Sequence, residues 1–90
     1  MRIPKTFQLA GAEWVVLQIP DYNVLGLCSR DNRTITLKQN IPQELKQQTF
    51  CHELVHAIKF MMGEAEGHDE KEVDVFATFL HHFLISAEYK

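Results

Sequence analysis

The chain has 90 residues, a net charge of −3, 46% hydrophobic and 23% charged residues. That length has room for one folding unit, so residues 1–90 are expected to form a single domain, and the composition argues against disorder. No apolar run approaches the ~20 residues of a membrane span, the N-terminus does not read as a signal-peptide core, and two cysteines are too few for a disulfide scaffold. A reducing, cytoplasmic setting is expected, with no membrane partner.

The predicted elements begin with β-structure over residues 1–41. Lys5 to Leu9 alternates polar and apolar, Gly11-Ala12 permits a turn, and Glu13 to Ile19 is rich in β-branched and aromatic residues before Pro20 stops it. Pro20 to Asn23 is loop chemistry. Val24 to Ser29 and Thr34 to Lys38 read as a second hairpin, with Asp31-Asn32 between them where a positive φ is tolerated. Residues 42–90 read as two helices. The first runs from about Pro42 to Met62, ended by Gly63, with Phe50, Leu54, Ala57 and Met61 on one stripe and Cys51, Val55, Ile58 and Met62 beside it. The second runs from His68 or Asp69 to about Ser86, with Val73, Phe76, Ala77, Leu80 and Leu84 inward and Phe76, Phe79 and Phe83 assigned to packing. The expected fold is α+β: a three- to four-stranded antiparallel sheet packed on two helices. Trp14, Cys28 and Cys51 are read as core residues.

Charge divides along the same boundary. The β half carries +2 and the helical half −5, and all five histidines lie in the acidic half. No basic stripe suggests a nucleic-acid partner. Histidine among carboxylates is the raw material of a divalent-metal site.

His52-Glu53-Leu54-Val55-His56 is H-E-x-x-H in mid-helix. Residues four apart lie one above the other, so His52 and His56 can offer two imidazoles to one ion. Glu53, rotated about 100° from His52, can flank the ion as a general base without ligating it. Catalytic zinc wants three protein ligands and an open position. The longer H-E-x-x-H-x-x-G-x-x-H fails, because Lys59 stands at the glycine and Met62 at the third histidine. The third ligand then comes from the second helix. A helical wheel favours Glu70, which shares a face with Asp74 one turn on, and Asp74 can hold the free ring N–H of a ligand histidine. Glu72, His68 and Asp69 remain as alternatives. Gly63 to Gly67 is just long enough to carry the chain back to the histidines.

Cys51 to Ile58 followed by Glu70 to Ala77, after a β-rich half, resembles the ImmA/IrrE-type metallopeptidases and related small phage and prophage enzymes. More widely the order is similar to the gluzincins, with H-E-x-x-H and a downstream E-x-x-x-D. The resemblance covers roughly residues 45–80 and implies a minimal zincin-like fold. It implies Zn²⁺ on His52, His56 and Glu70, with Glu53 as base and Asp74 as the orienting aspartate. It also implies hydrolysis of a protein or peptide substrate, in ImmA-type relatives a regulator of a phage or mobile element. Thr34–Lys38 is the expected edge strand for an extended substrate, and His68 and Tyr22 are the candidate oxyanion donors. His81 and His82 fall ~16–18 Å along the helix from Glu70, too far to be ligands.

Two other functions compete. A catalytically weak or inactive zinc-binding regulatory or interaction module suits the small size, which leaves little wall for a substrate cleft. A zinc-dependent DNA-binding adaptor lacks basic residues and cysteine ligands. The sequence does not fix the oligomeric state.

Overall fold

Four strands and two helices follow one another in the computed structural model, which describes residues 1–88. They are β1 (Thr6–Leu9), β2 (Ala12–Ile19), β3 (Gly26–Ser29), β4 (Thr34–Lys38), α1 (Gln43–Met61) and α2 (Glu70–Ser86). This is the expected α+β architecture. Period-two alternation sets the inner face of the sheet. Trp14 and Val16 on β2 and Ile35 and Leu37 on β4 are buried, while Val15, Leu17 and Ile19 face outward. Phe7 on β1 stacks on Trp14 and meets Phe50 of α1 edge-on, with centroids 6.2 and 6.1 Å apart.

Strand order is β1-β2-β4-β3. The β1–β2 and β3–β4 pairs are antiparallel, but β2 and β4 run parallel from Val15↔Thr34 to Ile19↔Lys38, so the sheet is mixed where an antiparallel one was expected. The second hairpin docks with β4 inward, which buries both Ile35 and Leu37. β3 is short, contains Gly26 and Ser29, and is left at the edge. Asn40 ties the end of the parallel pair to the preceding loop: Asp21 N donates to its Oδ1 (2.9 Å) and its Nδ2 donates to Asp21 Oδ1 (2.7 Å). In the β3–β4 turn the positive φ falls on Arg33, not on Asp31 or Asn32.

α1 begins with Pro42 at the cap position and ends in a Schellman turn, Glu64 N bonding Lys59 O and Gly63 N bonding Phe60 O, with Gly63 at φ 94°. Phe50, Cys51, Val55 and Ala57 are buried. Ile58 and Met61 sit at the margin and Met62 is largely exposed, so the apolar surface of α1 is narrower at its end than the sequence pattern indicates. The helix packs on β3 and β4, and α2 packs chiefly on α1. Asp69 caps α2, accepting from Lys71 N (3.0 Å) and Glu72 N (3.4 Å). Val73 and Ala77 are buried, with Leu80 and Leu84 packed against the core. Phe76, Phe79 and Phe83 correct the sequence reading, since they are 57%, 70% and 58% exposed. At 100° per residue they lie about 60–120° to one side of Val73, whereas Glu70, Asp74 and His81 lie on the other side, towards α1.

Candidate metal centre

Helix α1 stacks His52 and His56 one turn apart, with ring centroids 5.1 Å from each other. Gly63 and Gly67, both at positive φ, turn the chain back, and the Asp69 cap starts α2 at Glu70. Glu70 therefore enters beside the histidines from its helix's first turn. Its Oε2 lies 3.2 Å from His52 Nε2 and its Oε1 lies 3.1 Å from His56 Nε2. One ligand atom from each of His52, His56 and Glu70 falls within 4.8 Å of the others, a spacing one ion can bridge. The imidazoles are half-buried and the carboxylate is exposed. Asp74, one turn after Glu70, has its Oδ1 2.7 Å from His52 Nδ1.

The other three candidates for third ligand are engaged elsewhere. Glu72 pairs with Lys59, which also reaches Glu64 at 3.4 Å. Asp69 caps its helix. His68 contacts His56, with the two Nδ1 atoms 2.7 Å apart.

Glu53 lies under β3. A side chain at Gly26 would come within 2.6 Å of Thr49 Cγ2 and 3.3 Å of Glu53 Oε2, so only glycine lets the strand approach this closely. Burial pushes the Glu53 carboxyl up to about 6; His52 opposes the shift and the Glu70 carboxylate reinforces it. Burial holds His56 below the usual imidazole range, with Glu70 pulling the other way. The Cys28 thiol, desolvated and near Glu53, rises to about 12. Two open cavities flank Glu53 and His52. One of about 580 Å³ runs past Gly26, Thr49, Asp74 and His81, and one of about 490 Å³ runs past Cys28, His56, His68 and Glu70.

Several expectations change here. Thr34–Lys38 is interior, paired on both sides, and has no free edge for a peptide; the edge strand beside α1 is β3. Tyr22 lines neither cavity. Both ring nitrogens of His68 have partners, so it is not poised as an oxyanion donor. His81 lies outside the group formed by His52, His56 and Glu70, and is buried in the wall of the larger cavity, where Nε2 lies 3.1 Å from Gln47 Oε1. Sequence reading missed the close approach at Gly26, although a lone glycine inside a strand is the usual signal for one. It also missed the His56–His68 contact, for which a linker offers no periodicity.

The donor set suits a divalent cation of zinc's type: two imidazole nitrogens and a carboxylate, with at least one imidazole oriented from behind. Asp74 accepts the proton on His52 Nδ1, so a neutral His52 turns its bare Nε2 towards a carboxylate oxygen. Two electron-rich atoms then meet at 3.2 Å. Protonation of the ring, or a cation shared with Glu70, turns that contact from repulsive to favourable. No protein-family model, curated protein or solved structure matches this chain.

Proposed function

We propose that His52, His56 and Glu70 hold Zn²⁺ and that the chain works first as a zinc-binding regulatory or interaction module. The observation that carries this reading is the convergence of three ligand atoms within 4.8 Å from two helices. The open cavities and the exposure of Glu70 favour binding over efficient turnover, because a catalytic site gains most from excluding water.

A second reading, zinc-dependent hydrolysis of a peptide bond, is favoured by Glu53. A site that only stabilises the fold has no need of a buried carboxylate beside its ligands. Bound Zn²⁺ would supply a Lewis acid that polarises a carbonyl and acidifies water. Glu53 would take a proton from that water on its carboxylate and return it to the leaving amine. Asp74 would hold His52 in one orientation, and Glu70 would complete the ligand set. The substrate in this reading is a protein or peptide, and the resemblance points to a regulator of a phage or mobile element.

One experiment separates the two readings. The zinc-loaded chain is incubated with a peptide library and with unfolded protein, with and without chelator. Chelator-sensitive cleavage that disappears in Glu53→Gln establishes the hydrolase, and stoichiometric zinc without cleavage establishes the module.

A further inference from the structure

We propose that His68 is a positioning residue of the metal centre: it relays a hydrogen bond from the Glu64 carbonyl to His56, fixing the ring proton of His56 on Nδ1 and leaving Nε2 bare for the ion. The proposal rests on the zinc-binding reading and adds to it the device that orients the second imidazole.

With His68 neutral, the contacts allow one direction of donation. The Glu64 main-chain oxygen can only accept, so the 2.6 Å contact from His68 Nε2 requires a proton on that nitrogen. A neutral His68 then has a bare Nδ1, which can only accept. His56 Nδ1 lies 2.7 Å from it and must therefore donate. A neutral His56 with its proton on Nδ1 has its lone pair on Nε2, the atom that faces Glu70 Oε1 at 3.1 Å. The opposite tautomer of His56 would set two bare nitrogens against each other at 2.7 Å.

The relay is held at both ends. Phe60 packs on the His68 ring, centroids 4.6 Å apart, and the His56 and His68 rings are within 20° of parallel. The Glu64 carbonyl belongs to the turn closed by Glu64 N to Lys59 O at 3.0 Å, and Lys59 also reaches the Glu64 carboxylate. Because both His68 nitrogens are committed, His68 is not a fourth ligand, and the protein set stays at three. The two metal histidines are thus oriented differently. His52 is backed by the carboxylate of Asp74, whereas His56 is backed by the His68 imidazole and, through it, a peptide carbonyl. Outer partners of this kind fix ring orientation and tautomer, and losing one typically costs roughly 10–100-fold in metal affinity.

The test uses the full chain, labelled with ¹⁵N. Long-range ¹H–¹⁵N spectra report the tautomer of each histidine with and without Zn²⁺, and competition with a chromophoric chelator gives zinc affinity. In the wild type, His56 is expected to carry its proton on Nδ1 in both states, with only Nε2 of His56 shifting on zinc addition. His68→Ala is expected to mix the His56 tautomers in the metal-free chain and weaken zinc by roughly 10–100-fold. His68→Asn restores an acceptor near the same point, and is expected to recover the tautomer and most of the affinity. The relay is overturned if wild-type His56 carries its proton on Nε2, if a His68 nitrogen shifts as a ligand does, or if His68→Ala leaves tautomer and affinity unchanged. The wild-type spectra decide the matter even where His68→Ala does not fold. A wild type that takes up no zinc removes the metal reading and the relay's purpose together, while a wrong tautomer with zinc binding intact removes the relay alone.

Discussion

At the scale of single residues, position within the site separates groups of the same chemistry. Glu53, Glu70 and Glu72 are all glutamates on or between the same two helices. Glu70 meets the imidazoles, Glu72 meets Lys59, and Glu53 is buried beneath β3. If turnover exists, Glu53→Gln is expected to retain zinc while lowering cleavage by at least about a hundredfold, the usual weight of a general base. Equal cleavage by the variant, measured at saturating zinc, removes Glu53 from the mechanism. The two thiols give a second expectation. Burial raises Cys28 to about 12 and Cys51 to about 11 from an ordinary 9. A group that holds its proton more tightly when folded stabilises the fold below its unfolded value and loses that contribution as pH climbs through the folded one. Stability is therefore expected to decline from about pH 9 upward, and alkylation at pH 8 to be at least about tenfold slower in the folded chain than in urea. Equal alkylation rates in the two states would contradict the burial of these thiols.

At the scale of elements, the cap of α2 and the β3–α1 contact set the geometry on which the site depends. Asp69→Ala is expected to cost about 1 kcal/mol of stability by urea unfolding, the usual cost of a lost N-cap. Zinc affinity should fall with it, because Glu70 is the first residue of the helix that Asp69 anchors. Gly26→Ala forces a methyl group against Thr49 and Glu53, and is expected to destabilise by about 1–3 kcal/mol. A neutral Gly26→Ala would show that β3 does not sit this close to α1. Much of this was legible in the sequence. The helix limits followed from Pro42, Gly63 and Asp69, and the two hairpins from alternation and loop residues. The parallel β2–β4 pair was not legible, since local pattern fixes each hairpin but not which of its strands meets β2. The outward phenylalanines were not legible either. Apolar spacing on α2 admits a wide stripe, and only the docking of α1 on one shoulder decides which part of it is covered.

At the scale of the whole molecule, α1 packs on the sheet and on α2, so the candidate ligand group of His52, His56 and Glu70 forms where the two helices meet. An ion shared by both helices links distant parts of the chain and stabilises the state that binds it. At a free Zn²⁺ concentration a hundred times its dissociation constant the gain is about 2.7 kcal/mol. Thermal unfolding of the wild type is expected to shift upward with zinc and return with chelator, and His52→Ala is expected to abolish the shift. The H-E-x-x-H motif made the two histidines and Glu53 visible as a group before any fold was known. Glu70 required the wheel and the return of the linker, and the place of His68 follows only from the folded turn that sets it against His56.

The most direct measurement is the zinc content of the purified chain after exhaustive dialysis against trace metal, by atomic absorption, for wild type, His52→Ala and Glu70→Ala. One zinc per wild-type chain and a small fraction of that in each variant is the expected result. Wild type that retains no zinc, or variants that retain as much as wild type, would contradict the metal centre.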